Sequence, residues 1–175
     1  MLTCGGAVAR DVSYRNDTSA AEKLYQRQLE LWDPLNAWFA EHFGGEELRT
    51  TTGLGVGAQP QVAIDAVRAY IAALDPWQLA AFDTTTAVTK SAVLALALAE
   101  GHMTASEVAT AARLEEDFQS EVYGFVEGGH DWDIASTNIR LLSAELIFRS
   151  LELEGEEPQA FACLMEALEA EGKVQ

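Results

Sequence analysis

Seven carboxylates fall between residues 115 and 133: Glu115, Glu116, Asp117, Glu121, Glu127, Asp131 and Asp133, with no lysine or arginine among them. Carboxylates at this density can pair as general acid and base, bind a metal ion, or present negative charge to a cationic partner. Catalysis would need two of them placed by a motif in contrasting environments, and no motif here does so. Metal binding would draw on Glu127, His130, Asp131 and Asp133, whose donor atoms are suitable but whose spacing matches no established ligand set. No metal is therefore expected. What remains is electrostatic: a solvated acidic face, or one offered to a basic surface.

Glu115 differs from the others in its position. Val108, Ala111, Leu114, Phe118 and Val122 share one helical face at about 100° per residue, and Glu115 falls inside that stripe with Gln119 at its edge. Glu116 and Asp117 project away. An isolated carboxylate on an apolar face is costly, so Glu115 needs a partner. Either an internal arginine such as Arg140 or Arg149 meets it, or a cation on another protein does.

Other chemistries find no support. The GLGVG run at 53–57 lacks the spacing and the preceding strand of a dinucleotide fingerprint, and no phosphate-loop lysine motif is present. His42, His102 and His130 have no nucleophile motif beside them. Cys4 and Cys163, the only cysteines, lack paired spacing for zinc or redox work and are expected as reduced thiols. Trp32, Trp38, Trp77 and Trp132 fit core or interface anchoring better than a cofactor cage. Neither enzymatic activity nor a cofactor is expected.

The net charge of -17 repels nucleic acid and anionic lipid, and favours solubility or basic partners. Hydrophobic residues make up 49% and charged residues 22%, a globular balance. The most apolar stretch, Ala92 to Ala99, is bounded by Lys90 and Glu100 and is too short to span a bilayer. The first ten residues, MLTCGGAVAR, carry no recognisable signal or transit pattern.

The elements that would position the acidic run are helices. Ser19 and Glu22 form a capping box, and Asp33-Pro34 predicts a restart that Gly44-Gly45 ends. Residues 50–57 predict an extended connector, and Pro60 opens a helix to about Leu74. Asp75-Pro76 starts the next helix, which Thr84, Thr85 and Thr86 are expected to divide from an apolar segment at 88–100. That segment is apolar on nearly every side and belongs in the middle of a bundle. Thr104 and Glu107 cap a helix to Val122 with Gly124 as its stop. Asp131 or Asp133 starts a long helix to about Glu152, and Gly155 and Pro158 precede a last amphipathic helix ending at Gly172. The expected fold is all-α: a compact bundle of about six to seven helices with short loops. The boundaries read as an extended segment at 1–17, a helical domain at 18–152 and an acidic helical extension at 153–175.

Three blocks carry a family resemblance. QLELWDPLNAWFAEHFG, KSAVLALALAEGHMTASEVATAARLEEDFQ and EVYGFVEGGHD stand in this order with fitting separations. Together they resemble the mitochondrial-type ATP synthase assembly chaperones across about residues 12–151, most specifically through R-L-E-E-x-x-Q, then Gly, then His-Asp. The resemblance implies a soluble, non-enzymatic chaperone that binds the alpha subunit of the catalytic head, on the matrix side of the mitochondrion or in another organelle. It carries over to Arg113, Leu114, Glu115, Glu116, Gln119, Glu121, Gly124, Glu127, His130 and Asp131, with Tyr123 beside them as a partner-binding residue. Glu115, Glu116 and Glu121 are the expected client-facing charges, and Gly124 a backbone requirement. Tyr123 replaces a usual Trp, Val122 a usual basic or polar residue, and Gly128-Gly129 a usual Trp-Ala. The family's β-rich amino-terminal domain has no counterpart here. That departure points to an alternative: a family member that became a permanent structural subunit of a large organellar membrane complex, whether ATP synthase, respiratory or photosynthetic.

Overall fold

The computed structural model describes residues 18–50, 58–124 and 130–153. They form six helices and no strand: α1 (Thr18–His42), α2 (Gln61–Ala73), α3 (Pro76–Thr89), α4 (Ala92–Ala99), α5 (Ala105–Tyr123) and α6 (His130–Leu153). The all-α expectation holds for these residues. The segment at 1–17, the connector from residue 51 to 57 and the extension beyond 153 lie outside the described residues.

The sequence of α4, AVLALALA, contains no polar side chain, so no face of it can be turned to water. All eight of its residues are buried, and the other helices pack around it. Entry is set by Ser91, whose Oγ accepts from the Leu94 N–H at 3.3 Å. The start of α3 is a full capping box: Asp75 Oδ1 accepts from the Gln78 N–H at 3.0 Å, while Gln78 Oε1 accepts from the Asp75 N–H at 3.1 Å. The Thr104–Glu107 box does the same for α5.

Two predicted breaks are absent. The chain does not restart at Asp33-Pro34, because α1 runs through with Pro34 inside it. Proline removes one helical N–H and crowds the preceding turn, yet Trp32, Leu35, Trp38 and Phe39 all enter one core. A restart would turn part of that row away from the core, and the burial outweighs the lost bond. The second absent break is at Thr84 to Thr86. Thr84 Oγ1 donates to the Ala80 carbonyl at 2.8 Å and Thr85 Oγ1 to the Ala81 carbonyl at 2.9 Å, so these hydroxyls are satisfied within the helix. The break falls instead at Lys90, whose φ of 57° is left-handed and whose N–H donates to the Thr86 carbonyl at 2.8 Å. The apolar segment therefore begins at Ala92, not near Val88.

The predicted stop at Gly44 is observed. Its φ is +106°, and a Cβ there would come within 3.1 Å of a Val62 methyl, so both conformation and space favour glycine. The turn brings α2 against the end of α1, where Tyr70 meets Phe43 edge-on at 5.5 Å.

α6 packs on α3 and α5 through Leu141, Ala144 and Phe148. Its opposite side is also apolar and is exposed: Trp132, Ile139, Leu142 and Leu146 are 77%, 65%, 56% and 68% accessible. The tryptophans divide accordingly, with Trp32 and Trp38 in the core and Trp77 and Trp132 at the surface.

Because Asp75 supplies two of the hydrogen bonds that open α3, Asp75→Ala should lower unfolding free energy by about 1 kcal/mol. Urea denaturation would measure it, with an unchanged slope showing that the same surface is exposed on unfolding.

Candidate functional site: the acidic end of α5

α5 leaves the bundle before it ends. Val108, Ala111 and Phe118 are buried, Leu114 and Glu115 are half-buried, and Val122 is 45% exposed. Val122 was expected on the buried stripe. It is exposed because the last turn of α5 lies beyond Phe118, whose own buried contacts are with Ala20 and Leu24 in a small satellite cluster.

Glu115 does meet an internal partner, though not Arg140 or Arg149. Gln28 of α1, itself only 1% exposed, donates from Nε2 to Glu115 Oε1 at 2.8 Å. Arg149 is engaged within α6, where Nη2 lies 2.7 Å from Glu145 Oε1. A neutral amide satisfies the carboxylate geometrically without cancelling its charge.

Two arginines that flank or face the run compensate part of it. Arg113 precedes the first carboxylate, and its side chain is only 10% exposed. Its guanidinium lies 3.3 Å from Glu116, 3.4 Å from Asp117 and 3.8 Å from Asp133 of α6. Arg27 of α1 forms a two-pronged pair with Glu121 at 3.0 and 2.9 Å and sits 5.1 Å over the Phe118 ring. The bond from Arg27 holds the Glu121 carboxyl below the usual carboxylate range, and the same bond raises Arg27. Three carboxylates around one guanidinium still leave surplus negative charge on α5 and α6.

The predicted site residues therefore separate into groups. Glu116, Gln119, Tyr123 and Gly124 line an open cleft of about 450 Å³ together with Arg113 and Asp133. Glu115 and Glu121 are tied inward to α1. Asp131 is exposed in the first turn of α6. Glu127 and the side chain of His130 lie outside the described residues. Gly124 closes α5 with φ +96°, and its N–H donates to the Ser120 carbonyl at 2.9 Å. Exposed Tyr123 and Trp132, 69% and 77% accessible, stand at the two helix ends beside this acidic surface. Arg27 and Gln28 were missed by sequence reasoning, since no local spacing links residues so far apart in the chain. Arg113 adjoins the run, yet the sequence reading offered Arg140 or Arg149 as counter-charge and not Arg113.

Among the described residues no cluster of three or more His, Cys, Asp or Glu side chains is placed to hold a metal ion. None of the described helices is long and apolar enough to cross a membrane.

No protein-family model matches the chain. The mitochondrial protein atp12 of Schizosaccharomyces pombe is 27% identical over 141 residues, which is 79% of this chain and 48% of that protein. The crystal structure of Atp12 from Paracoccus denitrificans superposes with a TM-score of 0.68 at 31% identity, covering 73% of this chain and 54% of that one. This chain is similar to Atp12 in sequence and in fold. A candidate chaperone from Agrobacterium tumefaciens, Atu1473, gives a TM-score of 0.63 at 34% identity over 78% of this chain and 49% of its own. The chain spans about half the length of the relatives it matches. Likeness to Atp12 in both sequence and fold agrees with the resemblance carried by the three sequence blocks.

Two outcomes test the α1–α5 seam. Glu115→Ala would strand the buried Gln28 amide and should cost about 2 kcal/mol, whereas Glu115→Gln keeps an acceptor oxygen and should cost clearly less; thermal unfolding would rank them. For Glu121, a lowered folded pKa means that the stabilisation is present above the ordinary glutamate value of about 4.3 and is lost as pH falls through the lowered one. Glu121→Gln should thus flatten the acid side of a stability-against-pH curve below about pH 4.3, leaving its slope near pH 7 unchanged.

Proposed function

We propose that this chain acts as a non-catalytic assembly chaperone for the F-type ATP synthase, with the alpha subunit as client and the mitochondrial matrix as its location. The similarity to Atp12, shared by sequence and helical fold, carries this reading. The surplus charge around Arg113 supports it, because a client with exposed basic residues would be drawn to that surface.

In this reading Glu116, Gln119, Tyr123, Gly124 and Asp131 form the client surface, and Glu127 and His130, close to them in the sequence, are further candidates for it. Tyr123 supplies a broad apolar anchor and Glu116 the charge. Glu115 and Glu121 act as positioning residues, since both already engage α1. Gly124 sets where α5 ends.

The test is a binding and aggregation assay with purified alpha subunit. The chain should suppress aggregation at near-equimolar ratio. Glu116→Gln combined with Tyr123→Ala should weaken binding by about a hundredfold, more visibly at low salt, in a domain that circular dichroism shows to be folded, with Asp117 and Asp133 still beside Arg113. Absence of binding to the alpha subunit would remove the client assignment. Co-purification with an intact membrane complex at one copy per complex would replace the chaperone reading by that of a permanent subunit.

A further inference from the structure

The outer face of α6 is apolar and exposed at Ile139, Leu142 and Leu146, on the side opposite Leu141, Ala144 and Phe148. Three large side chains at spacings of three and four form the seam of a helix–helix contact, and the described helices place nothing on it. α6 ends at Leu153, beyond one end of that seam.

The residues that follow supply a matching stripe. Phe161, Leu164, Met165 and Leu168 recur at spacings of three and four, with Pro158 suited to a first helical turn and Gly172 to a stop. Ile139 to Leu146 and Phe161 to Leu168 each advance seven residues, about 10.5 Å along a helix. Only residues 154–157, with Gly155 among them, separate Leu153 from Pro158, a number within the roughly two to five that join antiparallel helices.

We propose that residues 158–172 form a helix that folds back antiparallel on the outer face of α6, seating Phe161 and Leu164 against Leu146 and Leu168 against Leu142. The short link keeps this segment at high effective concentration beside the seam. A second copy of the chain is a poorer occupant. Each copy carries a net charge of -17, and three side chains fall well short of the roughly 20 residues per side of a stable interface. The inference does not depend on the proposed function.

Disulfide trapping tests it in the full 175-residue chain with Cys4 and Cys163 replaced by serine. Leu142→Cys with Leu168→Cys should oxidise to an intramolecular disulfide at least about tenfold faster than Leu142→Cys with Glu166→Cys, whose side chain would face away. The rate should not depend on protein concentration. Equal rates for the two pairs, or disulfides only between molecules, would overturn the proposal. Amide exchange gives an independent readout. Residues 158–172 should exchange at least about tenfold slower than the same sequence as a free peptide, and Leu142→Asp with Leu146→Asp should abolish that protection. Both substituted residues are surface-exposed, so the bundle should remain folded. Free-peptide exchange in the parent chain would also overturn the proposal.

Discussion

An eight-residue helix made of alanine, valine and leucine has nowhere to go but the interior, and the packing of the described helices follows from that constraint. A segment of this length would not hold as a helix alone in water, because helix nucleation is costly and most helical stability in proteins comes from packing. α4 persists because every side of it is covered. That coverage demands neighbours with apolar faces, which the buried stripes of α1, α3, α5 and α6 supply. The same demand accounts for Pro34 within α1: a row of aromatic and aliphatic side chains committed to one core holds the helix together across a residue that opposes it.

The second organising feature is polar. From Leu114 onward, the apolar contact between α1 and α5 shrinks to Ala20, Leu24, Phe118 and half-buried Leu114. Hydrogen bonds and charge take over from hydrophobic area there: Gln28 to Glu115, and Arg27 to Glu121 over an aromatic ring. Such contacts are directional, so they fix the register of the two helices where greasy contact alone would allow sliding. They also divide the acidic run. Carboxylates held toward α1 shape the helix end, while those gathered around Arg113 leave a net negative field facing outward.

α6 shows how one helix can meet two demands. Leu141, Ala144 and Phe148 close the core, and the opposite apolar side stays available for a further layer. Large apolar side chains exposed in a row are uncommon on a soluble surface and mark contact.

The amino-acid sequence by itself determined the helical class, the central place of α4, the capping boxes at Asp75 and Thr104, and the stops at Gly44 and Gly124. Each of these rests on residues within a turn or two of one another, where backbone hydrogen bonding and periodicity decide the outcome. The sequence also placed the acidic run and its resemblance to assembly chaperones, through motif spacing along the chain. Only the tertiary structure decided that Glu115 meets Gln28, that Arg27 reaches Glu121, and that Val122 is exposed. Those outcomes depend on which helices lie side by side and how far each extends past its neighbour. No local pattern encodes that, because residues 87 or 94 positions apart meet only after the core around α4 has set the helices in place.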